Sequence, residues 1–144
     1  MPGAGFFTSW GNVMELSLVL YVGLGGAIGS VSRYALTYMI QSRSMSPFPI
    51  ATLLINVTGS LLLGFVMRYA TESASLSAEV RLLVTTGFCG GYTTFSTFSY
   101  ETARLYEDGD YRRAVLYAAL SVLLSLSGMF AGFSLARMAL AARR

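Results

Sequence analysis

A charge-free segment between Arg81 and Glu101 constrains this chain more than any other feature. It is close to the ~20 residues that an α-helix needs to cross a bilayer. Its middle is nevertheless poor helix material, because two adjacent glycines are followed by two adjacent β-branched threonines. We therefore predict a membrane helix that is interrupted in the region from Gly90 to Thr94.

An interruption at that depth has a chemical consequence. It frees backbone carbonyl and amide groups, and in hydrocarbon those groups need partners. Broken membrane helices therefore occur where the backbone is buried in protein, lines a wet cavity or coordinates an ion. The segment thus predicts an ion site. After the break, Phe95 and Phe98 share one helical face, and Ser96 and Ser99 share an adjoining one.

The amino-acid composition is that of an integral membrane protein. Hydrophobic residues make up 54% of the chain and charged residues 12%, with a mean hydropathy of +0.59, whereas soluble domains are about one quarter charged. Four nearly uncharged stretches predict an all-α membrane protein with four transmembrane helices, the third broken mid-membrane. The predicted spans are residues 16–40, 50–69, 79–106 and 111–139, in one domain of residues 16–144. Residues 1–15 are predicted to be a disordered or interfacial extension, with Met14 as an alternative native start.

Several function classes do not fit this composition. All ten basic residues are arginines, scattered singly or in pairs, so a nucleic-acid surface is not expected. The lack of histidine excludes histidine proton relays and metal sites, and the single Cys89 excludes an intramolecular disulfide. No constellation of His, Cys or acids suggests an enzyme. We expect Cys89 only to fill space.

Small residues and one cation characterise the first span. Gly25 and Gly29 stand in a GxxxG relation, which predicts close helix packing rather than a ligand site. Arg33 lies toward the end of the span, near two serines. Two interpretations are open for it: its guanidinium snorkels to the membrane interface, or it makes a structural hydrogen bond.

Two other spans carry polar stripes on otherwise aliphatic helices. In the second span, Asn56 has Thr52 and Ser60 each one turn away. Such an asparagine either joins two helices by a hydrogen bond or faces an ion path. The fourth span has hydroxyl groups every four residues along one face, which either bridge helices or line a path. They belong to Tyr117, Ser121 and Ser125.

This candidate lining favours a small anion. Glu101 is the acid nearest to the middle of a span and is expected close to an interface, so a carboxylate ring that attracts cations is absent. The expected lining consists of hydrogen-bond donors and of aromatic ring edges, which are positive. These are the amide of Asn56, the hydroxyls of Thr94, Ser96, Tyr117, Ser121 and Ser125, and the rings of Phe95 and Phe98. Without such a path, the two phenylalanines would be a core-facing pair.

The arginines give no preferred orientation in the membrane. With four spans, five arginines lie on each side, so the positive-inside rule is balanced. The two sets are Arg68, Arg81, Arg137, Arg143 and Arg144, and Arg33, Arg43, Arg104, Arg112 and Arg113. A chain without this bias can insert both ways, and four spans are few to enclose an aqueous path. We therefore predict an antiparallel homodimer.

The run GFCGGYTTFSTFSYE, from Gly87 to Glu101, resembles the signature of the Fluc (CrcB) fluoride channels, and the resemblance extends over residues 16–139. It implies a dual-topology homodimer with two antiparallel pathways that conduct fluoride passively. In a bacterial cytoplasmic membrane, such a multi-pass channel exports cytoplasmic fluoride and so lowers its concentration and toxicity. Tyr92 and Tyr100 stand at variable positions of the signature, and the N-terminus is longer than in the family.

The resemblance also assigns roles to residues. It implies that Asn56, Phe95 and Phe98 lie on the fluoride path and that Tyr117, Ser121 and Ser125 form a polar track. Together with Thr94 and Ser96 from the expected lining, these residues make up the predicted pathway. It implies a structural sodium ion, Na+, which is not transported and is bound by backbone carbonyls. Those carbonyls belong to Gly90 and Thr93, and Arg33 and Glu101 are further matched polar positions.

Two other functions compete with this interpretation. A proton-coupled small multidrug transporter also has four spans and dual topology, but it needs a carboxylate deep in the first span. Glu15, at the very edge, is the only acid there. A non-transporting scaffold would explain the glycines and serines by packing alone and would leave the broken third span without a purpose.

Overall fold

The computed structural model describes residues 16–43, 46–73 and 76–143. Helices dominate these residues, and none of them is in a β-strand. The prediction of an all-α protein is therefore confirmed. The helices are α1 (Leu16–Gln41), α2 (Ile50–Ser73), α3 (Ala78–Leu82), α4 (Gly90–Tyr92), α5 (Phe95–Glu107) and α6 (Tyr111–Ala141), with a π-helical segment, Leu83–Cys89, between α3 and α4. The predicted extension of residues 1–15, with Met14 and Glu15, lies outside the described residues.

Within the described residues, three helices are long and apolar enough to cross a membrane, namely α1, α2 and α6. Their bounds lie close to the predicted spans. The predicted third span, residues 79–106, corresponds to the series of shorter helices from α3 to α5, none of which is long enough alone. A broken third segment is therefore present, whereas its passage across the bilayer stays a prediction.

The break itself is shorter than predicted. Only Thr93 and Thr94 leave the helical conformation, with φ/ψ of −78°/159° and −152°/118°. Gly90 and Gly91 are helical and belong to α4, so the interruption lies within the predicted region but takes up only its last two residues. Packing explains the difference, because a Cβ on Gly91 would overlap the backbone of Gly26 in α1. Gly91 therefore serves a close helix contact, which outweighs its low helix propensity.

Glycines determine how α1 packs. Gly25 and Gly29 are buried, and a Cβ at either position would overlap a carbonyl oxygen of the π-helical segment, that of Leu83 or Phe88. The predicted GxxxG packing is confirmed. Glycines also bring α2 and α6 together, since Gly132 would clash with the carbonyl oxygen of Leu61 if it carried a side chain.

Exposed tyrosines cluster at one end of the molecule. Side chains from the end of α1, from α5 and from the start of α6 contribute, at positions Tyr34, Tyr38, Tyr100, Tyr106 and Tyr111. Tyrosine is enriched where a membrane meets water, because its ring is apolar and its hydroxyl is polar. We therefore take this end, called the tyrosine end below, to lie at a membrane interface.

We predict that Gly29→Val destabilises the protein and that Gly23→Val does not. A side chain at Gly29 would push α1 away from the backbone of Phe88, whereas a Cβ at Gly23 meets nothing within 4 Å. Overpacking of this kind costs about 1–3 kcal/mol. The measurement is the temperature at which purified protein in detergent loses its monodisperse peak in size-exclusion chromatography. Equal temperatures for the two variants would contradict the packing described here.

Candidate functional site

The side chain of Asn56, on α2, joins both backbone groups of the break. Its Nδ2 donates to the carbonyl oxygen of Thr94 at 3.1 Å, and its Oδ1 accepts from the amide of Thr94 at 2.8 Å. In an uninterrupted helix that amide would donate to the carbonyl of Gly90. The asparagine therefore satisfies the amide and the carbonyl of Thr94, and the Gly90 carbonyl loses that amide as its helical partner.

The hydroxyl of Thr94 begins α5. Thr94 is the N-cap residue, and its Oγ1 accepts from the amide of Thr97 at 3.1 Å. Capping bonds of this type stabilise the first turn of a helix by about 1 kcal/mol. The same hydroxyl lies 3.2 Å from the Oγ of Ser96, which is exposed. Thr93 turns the other way and donates its hydroxyl to the carbonyl of Cys89 at 2.8 Å.

An open groove of about 370 Å³ lies beside the break, between α2, α5 and α6. Six of the residues predicted to form the pathway line it together: Asn56, Thr94, Phe95, Phe98, Ser121 and Ser125. Thr93, Gly59, Ser60 and three aliphatic residues complete the lining. Among the described residues, no charged side chain contributes to this groove.

Two phenylalanine rings form one wall of the groove. The rings of Phe95 and Phe98 are 5.4 Å apart between centroids and tilted by 44°. Phe95 is 77% exposed, which is unusual for a residue of a folded core. Since aromatic edges carry partial positive charge, the two rings offer weak electropositive contacts to whatever occupies the groove.

Ser121 lies buried at the base of the groove. Its hydroxyl is inaccessible and has no hydrogen-bond partner among the described residues. A buried polar group without a partner costs about 1–3 kcal/mol, and such groups in native proteins call for a specific explanation. Ser121 also lines the groove, so a rotation of its side chain would bring its O–H to a guest there.

Tyr117 and Ser96 are the two predicted pathway residues that do not line the groove. Tyr117 is fully buried behind Phe98, with 5.3 Å between the ring centroids. Its hydroxyl donates to Oε2 of Glu101 at 2.7 Å, and the hydroxyl of Thr52 donates to Oε1 at 2.9 Å. Glu101 thus links α2, α5 and α6.

This link was not predicted from the sequence. Thr52 lies one turn from Asn56, and Tyr117 lies one turn from Ser121, so both polar stripes continue toward the tyrosine end. Glu101 follows Phe98 by three residues on the same face of α5. All three polar residues thus lie one turn beyond a groove residue, in the direction of the tyrosine end, and this pattern is visible in the sequence. Whether the three side chains touch depends on how the helices are rotated about their axes.

Of the two interpretations of Arg33, the structure shows the hydrogen bond. Its Nε donates to the carbonyl oxygen of Gly91 at 3.1 Å, and the hydroxyl of Ser30 lies 3.4 Å from the same oxygen. Arg33 therefore ties α1 to the residues just before the break. Cys89 is buried beside them, at 2% exposure, in agreement with a packing role.

A cation could be held by the backbone next to the break. Among the described residues, no group of three or more His, Cys, Asp or Glu side chains could bind a metal. The carbonyl of Gly90 has lost the amide of Thr94 as its helical partner, and Gly90 is exposed with open space around it. Thr93 is extended, so its carbonyl also leaves the helical direction. These two oxygens fit a hard cation such as sodium.

Comparison with known proteins identifies the family. Residues 20–133 match the model described as CrcB-like protein, Camphor Resistance (CrcB). The chain belongs to the CrcB family. CrcB relatives named fluoride-specific ion channel FluC are similar along nearly their whole length. The protein of Chlorobaculum tepidum is 46% identical over 125 residues, which cover 87% of this chain and 98% of the relative.

Further CrcB relatives agree with this assignment. The FluC protein of Geobacter sulfurreducens is 43% identical over 122 residues, covering 85% of this chain and 98% of its own. That of one Thermus thermophilus strain is 45% identical over 116 residues, covering 81% and 92%. The predicted family resemblance is confirmed. Family membership, the bacterial sources of these relatives and the apolar helices together make the chain a multi-pass protein of the bacterial cytoplasmic membrane.

We predict that Asn56→Ala loosens the break. The amide and carbonyl of Thr94 would both lose their partner, at a cost of about 1–3 kcal/mol. Hydrogen exchange measured by mass spectrometry on peptides that contain Thr94 should therefore become faster by roughly tenfold or more. Ser60→Ala is the matched control, because Ser60 lies one turn away on the same helix face and lines the same groove. Similar exchange in both variants would show that Asn56 does not hold the break.

Proposed function

We propose that the protein is a fluoride-selective passive ion channel. The observation that carries the proposal is the groove, whose polar lining consists of uncharged groups and includes the unpaired hydroxyl of Ser121. Donors without a fixed charge can replace part of the hydration shell of a small anion without trapping it, as conduction requires. The names of the CrcB relatives, fluoride-specific ion channel, support fluoride as that anion.

Selectivity for fluoride would depend on how well the groove replaces the hydration shell of the ion. Fluoride is small and strongly hydrated, so a narrow path must offer close substitute donors at successive positions. Asn56, Ser121 and Ser125 supply such donors, since one N–H of the Asn56 amide remains after its bond to Thr94. The ring edges of Phe95 and Phe98 hold an anion weakly between them.

Passive conduction fits a role in fluoride export. Hydrogen fluoride crosses lipid as a neutral molecule and dissociates in the more alkaline cytoplasm. Fluoride then leaves through the channel down its gradient, which lowers its cytoplasmic concentration. No energy-coupling group is needed for that direction of flow, and the proposed activity is not enzymatic.

The proposed working unit is an antiparallel homodimer. The groove is open on one side in a single chain, so a second copy is needed to enclose a path. Gly90, beside the break, is exposed and has nothing within 4 Å of the position of a Cβ, which leaves room for a partner. The balanced arginines allow both orientations.

A structural sodium ion fits the same arrangement. The carbonyl oxygens of Gly90 and Thr93 would hold it, with further oxygens from the second copy. When bound, it supplies fixed positive charge near the pathway. Sodium would bind these carbonyl oxygens, whereas fluoride would bind the hydrogen-bond donors of the groove. The two ions would therefore use different groups, and sodium could stay in place while fluoride moves.

The rival function of a proton-coupled multidrug transporter has less support. The CrcB relatives of this chain carry the name of a fluoride-specific channel. The half-buried carboxylate of Glu101 is already engaged by Thr52 and Tyr117 rather than open to a cationic drug. No specific contact among the described residues favours the transporter.

The proposal predicts rapid, selective fluoride efflux. Liposomes that contain the purified protein are loaded in parallel with fluoride or chloride, and efflux is followed with ion-selective electrodes. We expect fast fluoride efflux with little chloride efflux, and slower fluoride efflux when N-methylglucamine replaces sodium on both sides. If neither anion moves while a proton gradient drives an organic cation, the multidrug transporter is the correct function.

A pair of variants tests whether fluoride passes through the groove. Ser121→Ala removes one donor, worth about 1 kcal/mol, and should slow fluoride efflux about fivefold. Ser127→Ala is the control, because the hydroxyl of Ser127 is exposed and bonded to the carbonyl of Leu123 in its own helix. Equal slowing in both variants would place the path elsewhere.

We further predict that the turn after α5 faces one side of the membrane in about half of the chains and the opposite side in the others. Asp108→Cys introduces an exposed thiol there, whereas the native Cys89 is buried. A membrane-impermeant maleimide added outside sealed vesicles should label about half of the Asp108→Cys chains in a dual-topology population. Wild-type protein serves as the control for Cys89. Labelling of all chains or of none would mean that the protein inserts in one orientation.

A further inference from the structure

A second cavity lies at the tyrosine end, away from the groove. It measures about 260 Å³ and is lined by the end of α1, by residues 46–49 with the start of α2, and by the second half of α5 with Asp108. Phe48, in the connection between α1 and α2, lines it on one side, and Glu101, Arg104 and Asp108 line it on the other. The cavity is more polar than the groove and lies where the helices meet the membrane interface.

A short series of contacts separates the two cavities. Phe98 lines the groove and packs on the ring of Tyr117 at 5.3 Å. The Tyr117 hydroxyl is bonded to Glu101, which lines the second cavity. Phe48 also packs on Tyr117 in an edge-to-face contact, with 5.6 Å between the ring centroids and 82° between the planes. An ion that passed these side chains would move directly from the groove into the second cavity.

Arg104 provides positive charge in this cavity. Among the described residues, it is the only cationic side chain that lines either the groove or the second cavity. Its ion pair with Asp108 is 4.0 Å long, and the two side chains are 56% and 63% exposed, so the pair is weak. By contrast, Arg113 is engaged with Asp110 at 2.8 Å.

An anion that enters the second cavity needs the positive charge of Arg104, because the other charged side chains there are acidic. Glu101 and Asp108 also line the cavity, so without the guanidinium two carboxylates would face an entering anion. The Glu101 carboxylate is part of the wall and is held there by two hydroxyls. Arg104 lies three residues after Glu101 on the same face of α5, where its charge opposes that of both acids.

We propose that the second cavity is the mouth of the ion pathway at the tyrosine end and that Arg104 draws the anion into it. This inference rests on the proposed function as a fluoride channel. In this role Arg104 attracts the anion to the second cavity by its charge and does not bind the anion inside the groove. The effect acts over several ångströms and is therefore sensitive to ionic strength.

The test changes the charge at position 104 on functioning channels. Arg104→Cys is recorded in planar bilayers at low ionic strength and at subsaturating fluoride. Methanethiosulfonate reagents are then applied to both sides, one carrying a trimethylammonium group and the other a sulfonate. We expect fluoride current on the order of threefold higher after the cationic reagent than after the anionic one, and a smaller difference at high salt.

Arg112→Cys is the matched control. Arg112 is exposed at the start of α6, at the same end of the molecule, and does not line the second cavity. Both reagents should leave its current nearly unchanged, as they should in wild type, where Cys89 is buried. Equal effects at positions 104 and 112 would reduce the role of Arg104 to general surface charge, and no effect at position 104 would overturn the inference.

The outcome can be separated from that of the proposed function. If wild-type protein does not conduct fluoride, the channel proposal itself fails. If wild type conducts and the charge at position 104 has no influence, only the assignment of the mouth fails. Arg104→Lys gives a further check, since it keeps the charge and should retain fluoride current at low ionic strength.

Discussion

The structure depends on the pair of hydrogen bonds between Asn56 and the backbone of Thr94. A helix that stops inside an apolar medium must satisfy its free amide and carbonyl groups. One carboxamide does both, because it carries a donor and an acceptor at the spacing of a peptide group. Three consequences follow from that single side chain. α5 begins anew after the break, Phe95 and Phe98 line the groove, and the carbonyl of Gly90 lacks the amide of Thr94 as its helical partner.

The segment before the break is held by a different device. α1 meets the π-helical segment and α4 almost backbone to backbone, through Gly25, Gly29 and Gly91. Arg33 adds the one long side chain, whose guanidinium reaches the carbonyl of Gly91. Close contact of this kind allows little sliding or rotation, since a shift would bring carbonyl oxygens into collision. The break therefore has a rigid element on one side and the asparagine bond on the other.

Much of this arrangement could be predicted from the sequence. Apolar length predicted α1, α2 and α6, and the helical period placed Tyr117, Ser121 and Ser125 on one face of α6. The grouping of Asn56, Phe98 and Ser121 in one pathway came from the donor chemistry and the family resemblance. Two features could not be predicted in the same way. The helical state of Gly91 depends on its contact with Gly26, which outweighs its propensity. The contact of Glu101 with Tyr117 depends on the rotation of two helices about their axes, which periodicity alone does not determine.

The uncharged lining of the groove has a consequence for the conditions in which the protein can work. Amide, hydroxyl and phenyl groups neither gain nor lose protons in the range in which bacteria live. The guest would therefore meet the same donors in acidic and in alkaline surroundings. Under the proposed function this constancy is useful, because acidic surroundings contain the largest share of neutral hydrogen fluoride and so impose the heaviest load. The groove would remain equally receptive when the need for export is greatest.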